Sequence, residues 1–458
     1  MKKNREHWAS SFGFIMAAAG SAIGLGTLWQ FPYMTSVNGG GLFVLLFLLF
    51  TVLIGIPIFI AELLLGRKAQ RGAVGIFENL ENNSSQWKGV GWLSVLSALL
   101  ILSYYCVVAG WGLNYVLLSF NQFYVGKTPE EISNVFQILF KSPGITILWQ
   151  ISFLILTGGV VYKGVRDGIE HWSKILTSSL LVILLILLGY SLTLDGFSKA
   201  VHYIFYPDLT KLKPSGVLEA LGLAFFTLSL GQGVMLTYGS YMGKNENIPK
   251  TTCIVASMNI VVSVLAALMI FPIIFTFGSE PVAGFGLVFE TLPVLFARLP
   301  GALILSTSFF VLLVFTALTS SVALLEVIVA NFVDLFSWKR KKAVIVACLA
   351  IFIIGIPSAL TGSNIIFPNW EIMYGKTFFQ TVVDIVSQWI LPFIGLFVSI
   401  FAGWKVNKKL IQEEFIMGTS WKKLFGIWYF FTKWLAPLAI IAIIMQRAGF
   451  IDLDKLFK

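Results

Sequence analysis

The sequence predicts an all-α integral membrane protein with about eleven transmembrane helices in one domain, residues 1–458. Hydrophobic residues make up 57% of the chain, charged residues only 12%, and the mean hydropathy is +0.86. A soluble protein could not bury so much apolar surface in one core. Apolar runs of about 20 residues, the length that crosses a bilayer, recur along the chain. They lack the alternation of a transmembrane barrel, so helices are predicted.

The helices are placed where apolar runs lie between polar connections. Sizeable polar connections fall near residues 124–144, 195–214, 278–300 and 361–376, and no linker rich in Pro, Gly and Ser divides the chain. The predicted helices cover residues 11–35, 42–65, 89–123, 145–161, 169–191, 216–241, 252–277, 302–336, 343–360, 377–404 and 425–446.

The net charge of +10 indicates an orientation in the membrane rather than a nucleic-acid partner. Lys and Arg are concentrated in the connections that share a side with the N-terminus, for example Arg5, Lys408 and Lys409. Basic residues are retained on the cytoplasmic side. We therefore expect a cytoplasmic N-terminus and, after an odd number of helices, an external C-terminus. The same residues favour contact with anionic lipid.

Neither the N-terminal segment nor the cysteines indicate a separate function. Residues 1–22 resemble a secretory signal, because basic residues precede an apolar stretch with three alanines. We expect this segment to remain as the first helix, since ten more apolar segments follow it. Cys106, Cys253 and Cys348 lie in predicted helices without CxxC spacing, so neither a disulfide framework nor a zinc site is indicated.

The first and sixth helices contain glycine-rich interruptions. The first carries Gly20, Gly24 and Gly26, and the sixth carries residues 229–233, Ser-Leu-Gly-Gln-Gly. Interrupted helices at matching places in two halves indicate an inverted repeat with a binding site between them. We expect the repeats and the additional helix to cover residues 8–191, 216–404 and 425–446.

Close helix packing is the alternative explanation for glycines four residues apart. Two interruptions, each beside Ser or Thr, favour a binding site instead. Unwound backbone at membrane depth survives only where it lines a cavity or is buried in protein. Its carbonyl groups can bind a cation, and the N-terminal end of a half-helix can hold a carboxylate.

Several further motifs occur in a characteristic order and spacing from the first helix to the eighth. They are residues 5–8 (Arg-Glu-His-Trp), 20–32, 38–41 (Asn-Gly-Gly-Gly), Glu62, 224–231 (Ala-Phe-Phe-Thr-Leu-Ser-Leu-Gly), 319–321 (Thr-Ser-Ser) and Asp334. With these motifs the chain resembles the bacterial branch of the neurotransmitter:sodium symporter family, which has the leucine-transporter fold. The resemblance implies a protein of the bacterial inner (plasma) membrane that imports a small amine or amino acid, driven by one or two sodium ions.

At the family's second sodium site, this chain has only oxygen atoms as possible ligands, and these suit a hard cation. The resemblance implies the carbonyl groups of Gly20, Ile23 and Thr316 and the hydroxyls of Thr319 and Ser320. Hydroxyls that bond only to their own helix are the alternative reading of the last two residues.

The family's first sodium site carries over with one departure. The resemblance implies the Ala22 carbonyl, Thr227, Asn259 and the substrate carboxylate. Thr27 stands where the family has an asparagine. Because a threonine side chain is shorter, we expect this site to be altered, weak or absent.

The resemblance also implies a substrate site at the two breaks. Gly24 stands where the family's amine transporters have an aspartate, which leaves room for a substrate that brings its own carboxylate. We expect that carboxylate near the Gly26 amide and the Tyr105 hydroxyl. Mostly apolar walls favour a neutral hydrophobic or aromatic amino acid. Gln232 replaces a residue that is often aromatic in the family, so a polar or larger aromatic substrate that accepts a hydrogen bond stays open. The remaining predicted contacts are Ala22, Ile101, Phe226, Thr227, Ser229, Gln232, Ser320 and Leu324.

An inner gate and two buried acids are predicted on the N-terminal side. The resemblance implies that Arg5 pairs with Asp334, beside Trp8 and Tyr241. Carboxylates inside apolar helices are costly and therefore functional candidates; these are Glu62 and Glu326. We expect Glu62 to brace the broken first helix through backbone amides.

The outer gate and the chloride site depart from the family pattern. Asp384 matches the acidic gate residue, but Gln30 replaces its arginine, so we expect a neutral hydrogen bond and an aromatic lid of Tyr105 and Phe226. Ser263 stands at the chloride position. Phe47 and Leu223 replace the tyrosine and glutamine that complete it, so bound chloride is not expected.

The sequence thus predicts a sodium-coupled symporter that imports a neutral α-amino acid by alternating access, as a monomer or a homodimer. A proton-coupled or weakly coupled carrier of another zwitterion, and a channel or sensor derived from the family, stay open because Thr27 and Gln30 depart from its pattern. A membrane enzyme is not predicted, because HExxH, GxSxG and paired acids on one helix are missing.

Overall fold

Helices account for the apolar runs of the chain. The structure, a computed structural model, describes residues 5–80, 86–208, 210–278, 285–363 and 365–450. Within these ranges there is no strand, nine continuous helices are long and apolar enough to cross a bilayer, and two further segments are broken helices. The prediction of an all-α membrane protein with about eleven spans is confirmed.

The continuous helices begin and end within about one turn of their predicted bounds. Each contains an apolar stretch of bilayer length that is partly or mostly buried within the protein. They are Gly41–Ala69, Lys88–Phe120, Pro143–Tyr162, Val165–Ser191, Ile248–Thr276, Ala302–Phe336, Arg340–Ala359, Phe378–Lys405 and Lys422–Arg447.

The first helix is broken where its glycines predicted. Its halves, Ser11–Ala22 and Gly26–Val37, are bent by 50° from each other. The break begins at Ile23, whose ψ of 72° is not helical. The Ser10 hydroxyl caps the first half by accepting a hydrogen bond from the Gly13 amide at 3.0 Å. We call the side of the membrane at which this half begins the N-terminal face, and the other side the vestibule face.

The sixth helix is broken more widely, between Pro214–Thr227 and Val234–Gly239. Three residues in the break have positive φ: Ser229 (55°), Gly231 (71°) and Gly233 (75°). Glycine adopts this conformation without steric cost, whereas serine does so rarely. The break therefore depends on the glycines and holds Ser229 in an unusual backbone conformation.

The second half of the sixth helix packs closely on the second helix. A Cβ at Gly66 would lie 2.2 Å from the Leu236 carbonyl oxygen, and a Cβ at Gly239 would lie 2.7 Å from that of Leu63. Larger residues would separate the two helices. This contact positions Glu62, one turn before Gly66, beside the break of the sixth helix.

The polar connections contain short helices that the sequence did not predict. On the vestibule face these are Pro129–Lys141, Phe197–Phe205, Leu292–Ala297 and Trp370–Tyr374, and on the N-terminal face they are Ala73–Leu80 and Lys408–Ile416. The Pro129–Lys141 helix begins with a capping box, in which Thr128 and Glu131 exchange side-chain and backbone hydrogen bonds.

Candidate functional site

A cavity lies between the two helix breaks. All residues predicted to contact the substrate line it, together with Leu25 and Ser21, which sequence reasoning missed. The cavity is narrow, with about 20 Å³ open to the centre of a water molecule; this is room for roughly one water. A larger ligand requires side chains to move. The lining residues are Ser21, Ala22, Gly24, Leu25, Gly26, Ile101, Tyr105, Phe226, Thr227, Ser229, Gln232, Ser320 and Leu324.

The glycines of the first break let side chains from three other helices reach its backbone. The Tyr105 hydroxyl accepts a hydrogen bond from the Leu25 amide at 3.3 Å. A Cβ at Gly24 would lie 2.9 Å from the Ser320 hydroxyl, and a Cβ at Gly26 would lie 2.7 Å from the Phe226 ring. Any larger residue at Gly24 or Gly26 would fill the cavity or displace its walls.

The two breaks are joined by a pair of serines. The Ser229 hydroxyl donates to the Ser21 carbonyl at 3.0 Å, and the two hydroxyl oxygens lie 3.2 Å apart. The signal for Ser21 was its place directly after Gly20 in the interruption. These contacts bring carbonyl and hydroxyl oxygens of both broken helices to the same wall.

Oxygen atoms of the first and eighth helices cluster where the second sodium site was predicted. The Ser320 hydroxyl lies 3.5 Å from the Gly20 carbonyl oxygen and 3.3 Å from that of Thr316. The Thr319 hydroxyl donates to the Thr316 carbonyl at 3.0 Å. Ile23 ends the same half-helix as Gly20. This first–eighth helix cluster contains the oxygen donors that a hard cation prefers.

Thr177 of the fifth helix borders the first–eighth helix cluster and was not predicted. Its hydroxyl donates to the Met16 carbonyl at 3.0 Å. A Cβ at Gly20 would lie 2.5 Å from the same hydroxyl oxygen. No pattern within the fifth helix distinguishes Thr177, because its importance arises only from the contact with the first helix.

A second oxygen cluster surrounds Thr27. The Thr27 hydroxyl lies 3.2 Å from the Ala22 carbonyl oxygen and 3.0 Å from Oδ1 of Asn259. Nδ2 of Asn259 donates to the Thr227 hydroxyl at 3.2 Å. The shorter side chain therefore reaches the group predicted for the first sodium site. The four residues of this Thr27 cluster form a chain of hydrogen-bonding contacts that runs from Ala22 through Thr27 and Asn259 to Thr227.

Glu62 braces the sixth helix, so the expectation that it braces the first was wrong. Its Oε1 accepts a hydrogen bond from the Gly231 amide at 2.9 Å, and the residue is completely buried. The close packing of Gly66 on Leu236 brings the second helix to this break.

The N-terminal face is closed by the predicted inner gate. Arg5 pairs with Asp334 at 2.6 Å and donates two hydrogen bonds to the Ser240 hydroxyl, at 3.1 and 2.6 Å. Its guanidinium also lies 4.7 Å from the centroid of the Tyr241 ring. The Trp8 indole donates to the Tyr238 carbonyl at 3.1 Å.

A second charged group closes the same face. The Tyr241 hydroxyl donates to Glu326 at 2.5 Å, and Arg340 pairs with the same carboxylate. The Arg340 guanidinium also donates to the Val161 carbonyl at 2.8 Å. The pair of Glu326 and Arg340 thus joins the eighth and ninth helices to the end of the sixth helix and to the fourth helix. Its partner Arg340 was missed, because nothing in the sequence shows which of the basic residues at 339–342 turns inward.

Glu170, also missed, holds the start of the first helix. Its carboxylate accepts hydrogen bonds from the Ala9 amide at 2.7 Å and the Ser10 hydroxyl at 2.9 Å, and Lys174 pairs with it at 2.7 Å. Glycine is required at position 13, because a Cβ there would lie 2.0 Å from the carboxylate.

The vestibule face opens into a cavity of about 720 Å³, which we call the vestibule. Gln30 and Asp384 both line it, but the Asp384 carboxylate pairs with Lys376 and accepts a hydrogen bond from Gln388 at 3.0 Å. Among the described residues no hydrogen bond joins Gln30 to Asp384, so the neutral gate stays a prediction for a closed form. Phe226 lines both the vestibule and the central cavity, and its ring separates them.

The family model described as "Sodium:neurotransmitter symporter family" matches residues 5–132 and 135–449. The chain belongs to this family. The symporter is 38% identical over 446 residues to YhdH, an uncharacterized sodium-dependent transporter of Bacillus subtilis (strain 168). This match covers 97% of this chain and 98% of YhdH. It is 32% identical over 456 residues to an uncharacterized sodium-dependent transporter of Haemophilus influenzae, covering 97% of this chain and 98% of the relative.

A solved structure matches the symporter over most of its length. The crystal structure of MhsT in complex with L-phenylalanine has a TM-score of 0.88 and 40% sequence identity, and covers 96% of this chain and 99% of that chain. The predictions of the family and the fold are confirmed. The protein is a multi-pass membrane symporter that uses sodium and carries a small molecule, and it is not an enzyme.

The residues at the chloride position of the symporter have other contacts. The Ser263 hydroxyl donates to the Asn259 carbonyl at 2.8 Å. Phe47 is completely buried, and its ring centroid lies 4.8 Å from that of Phe31. Leu223 is buried and lines the vestibule. The expectation of no bound chloride stays a prediction.

Proposed function

We propose that this symporter imports a neutral α-amino acid with a hydrophobic or aromatic side chain, driven by sodium through alternating access. The central cavity carries the proposal, because both helix breaks meet there with every residue predicted to contact the substrate. The likeness to MhsT, whose crystal structure is a complex with L-phenylalanine, supports the substrate class. We further propose a bacterial plasma membrane with the N-terminus in the cytoplasm, as the basic connections indicate.

The substrate carboxylate is proposed to lie at the first break, near the Gly26 amide and the Tyr105 hydroxyl. The start of the second half-helix offers amide donors and a favourable dipole to an anion. The ammonium would face the Ala22 carbonyl and the Ser229 hydroxyl, the latter held at the wall by the sixth break. Such a site suits a zwitterion, since both charges find partners without any charged side chain.

The substrate side chain is proposed to extend between the third, sixth and eighth helices. Ile101, Phe226 and Leu324 supply apolar walls there, while Gln232 adds one amide. Because the cavity has room for roughly one water, the Phe226 ring must turn toward the vestibule before an amino acid can enter. The ring then closes over the bound substrate.

Two sodium ions are proposed, one in each oxygen cluster. The first–eighth helix cluster would hold one ion between the first helix and Thr319. The Thr27 cluster would hold the other, and the reach of the Thr27 hydroxyl to Ala22 and Asn259 supports this. A bound cation would turn the hydrogen of the Thr27 hydroxyl away from these two acceptors. The hydroxyl could then donate a hydrogen bond to the substrate carboxylate, which would couple binding of this ion to binding of the substrate.

The proposal is tested by uptake of labelled phenylalanine and leucine into proteoliposomes. We expect saturable accumulation that requires an inward sodium gradient, and a rise in the unfolding temperature with amino acid only when sodium is present. Accumulation that follows a proton gradient without sodium would support the proton-coupled alternative. Conduction without accumulation would support a channel.

The first–eighth helix cluster is tested with a matched pair of variants. Thr319→Val removes a proposed ligand hydroxyl at nearly constant volume, and we expect sodium-stimulated binding to weaken by at least about tenfold, as for loss of a ligand in a buried polar site. Thr316→Val is the control, because only the carbonyl group of Thr316 is a proposed ligand. Its hydroxyl donates to the Leu312 carbonyl at 2.7 Å, which is outside the cluster, whereas the Thr319 hydroxyl donates to a carbonyl of the cluster. Equal sodium dependence in both variants would contradict the assignment.

A further inference from the structure

Lys433 lies inside the last transmembrane helix in a cage of aromatic rings. Its ammonium is 4.3 Å from the ring centroid of Trp404, 5.7 Å from that of Tyr429 and 5.8 Å from that of Trp434. Such ring faces attract a cation. Lysine inside a membrane helix is costly and marks a candidate site, and neither the ion clusters nor the gates involve Lys433.

The cage lies near the N-terminal face. The Trp404 indole donates to the Lys433 carbonyl at 3.0 Å, and Trp404 is one residue before the end of the tenth helix, Phe378–Lys405. A Cβ at Gly403 would lie 2.9 Å from Cα of Lys433, so the two helices touch here. Side chains on a helix point toward its N-terminus, which directs the Lys433 ammonium to the same face, where lysine and tryptophan meet lipid headgroups.

Several lysines lie around the cage. Lys408 approaches the same Tyr429 ring, at 5.2 Å from its centroid. The connection between the last two helices contains two acids, of which Glu414 pairs with Arg67 and Lys68 while Glu413 is exposed. In the part of the chain that the structure describes, no carboxylate lies within 4.0 Å of the ammonium groups of Lys408, Lys409, Lys422, Lys423 or Lys433.

We infer that the cage is a binding site for the headgroup of an anionic phospholipid, with its phosphate between Lys433 and Lys408. Both ammonium groups share one ring, so an anion there would relieve their mutual repulsion. The apolar surface beside them favours a lipid over free phosphate. Trp404 is 50% exposed, Trp434 47% and Phe430 57%, and these rings face the bilayer where acyl chains would lie.

The experiment measures thermal unfolding of the full-length protein in phosphatidylcholine nanodiscs with increasing phosphatidylglycerol. We expect the wild type to be stabilised, with half of the effect at a low fraction of phosphatidylglycerol. Lys433→Gln should raise that fraction about fivefold, since one basic residue at an anionic membrane surface contributes about 1 kcal/mol. Lys408→Gln should act in the same direction.

Two variants separate the lipid site from other causes. Lys199 on the vestibule face also approaches a ring, 4.8 Å from the centroid of Phe275, so Lys199→Gln is a matched control and should leave the response unchanged. Lys433→Arg keeps the charge and should respond like the wild type. Loss of the response in Lys433→Arg, or an unchanged response in Lys433→Gln, would overturn the proposal. Equal stabilisation by inorganic phosphate in pure phosphatidylcholine would overturn the assignment to lipid.

Discussion

The two ends of the transport path are closed by different kinds of contact. On the N-terminal face, Arg5 and Asp334 form an ion pair whose side chains are only 12% and 17% exposed. On the vestibule face, a cavity of about 720 Å³ reaches the Phe226 ring, which also lines the central cavity. One end is therefore held by charges from several helices, whereas an aromatic side chain lies at the other.

The difference indicates which end opens first. To open the N-terminal face, charged groups that now neutralise one another must separate, and the broken first helix must move away from its neighbours. To open the path from the vestibule, the half-buried Phe226 ring would have to change rotamer, which moves one side chain rather than a helix. If Phe226 turns as proposed, this conformation would admit ligands from the vestibule face, and their release at the N-terminal face would require the larger rearrangement.

The largest effect is expected from Arg5→Ala, which would weaken the ion-paired closure of the N-terminal face. It removes the ion pair and both hydrogen bonds to Ser240, a loss of about 2 kcal/mol for bonds to a charged group, or roughly 30-fold in the equilibrium between closed and open forms. The rate of cysteine labelling from the N-terminal side would measure how far the equilibrium has moved toward the open form. Thr177→Cys is a suitable reporter, because Thr177 is completely buried against the first helix near Gly20.

The labelling experiment requires Cys106, Cys253 and Cys348 to be replaced beforehand. Arg166→Ala is its control, because that arginine lies on the same face and donates to the His7 carbonyl at 2.9 Å without an ion pair to Asp334. We expect it to change labelling far less than Arg5→Ala. If both variants label at the wild-type rate, the N-terminal face does not depend on this pair.

A smaller effect is expected from Phe226→Ala, which would remove the aromatic ring between the vestibule and the central cavity. The vestibule and central cavity would become continuous, and bound amino acid should dissociate about tenfold faster, as for loss of a partly buried aromatic contact. Stopped-flow displacement of the substrate would measure the rate. The adjacent Phe225 is the control, since it lines the vestibule but packs against Gly395 rather than over the central cavity. Equal acceleration by Phe225→Ala would show that Phe226 is not a separate lid.

The transmembrane helices were predictable because each must be apolar over a bilayer thickness, and this pattern is local in the sequence. The breaks were predictable for a similar reason, since glycine and serine are conspicuous within apolar runs. The short surface helices, such as Phe197–Phe205, were not, because amphipathic stretches in a connection give a weaker signal.

Contacts between distant segments limit how much of the candidate site can be predicted from the sequence. The resemblance supplied the cavity lining on the third and eighth helices, but the partner of Glu62 depends on how closely Gly66 packs on Leu236, which no local pattern reports. The reach of Thr27 to Asn259 likewise depends on the bend of the first helix. The resemblance supplied pairs such as Arg5 with Asp334, whereas the Lys376 partner of Asp384 lies where the family pattern offers no guide.

The smallest effect is expected from Gln30→Arg, which would give the vestibule face a charged closure like that of the N-terminal face. The new guanidinium would compete with Lys376 for Asp384. Because the Lys376 and Asp384 side chains are 55% and 30% exposed, the gain should be at most about 1 kcal/mol. Substrate dissociation should therefore slow by no more than about fivefold, and the slowing should diminish when choline chloride is added at constant sodium.

Lys376→Gln sharpens this last test by removing the competitor. Gln30→Arg should slow dissociation more in that background than in the wild type, because Asp384 would then have no ammonium partner. Equal effects in both backgrounds would mean that Lys376 does not occupy Asp384 when the outer gate closes. A slowing that resists added salt would place the new pair in a buried site, and the vestibule face would then be capable of the same kind of closure as the N-terminal face.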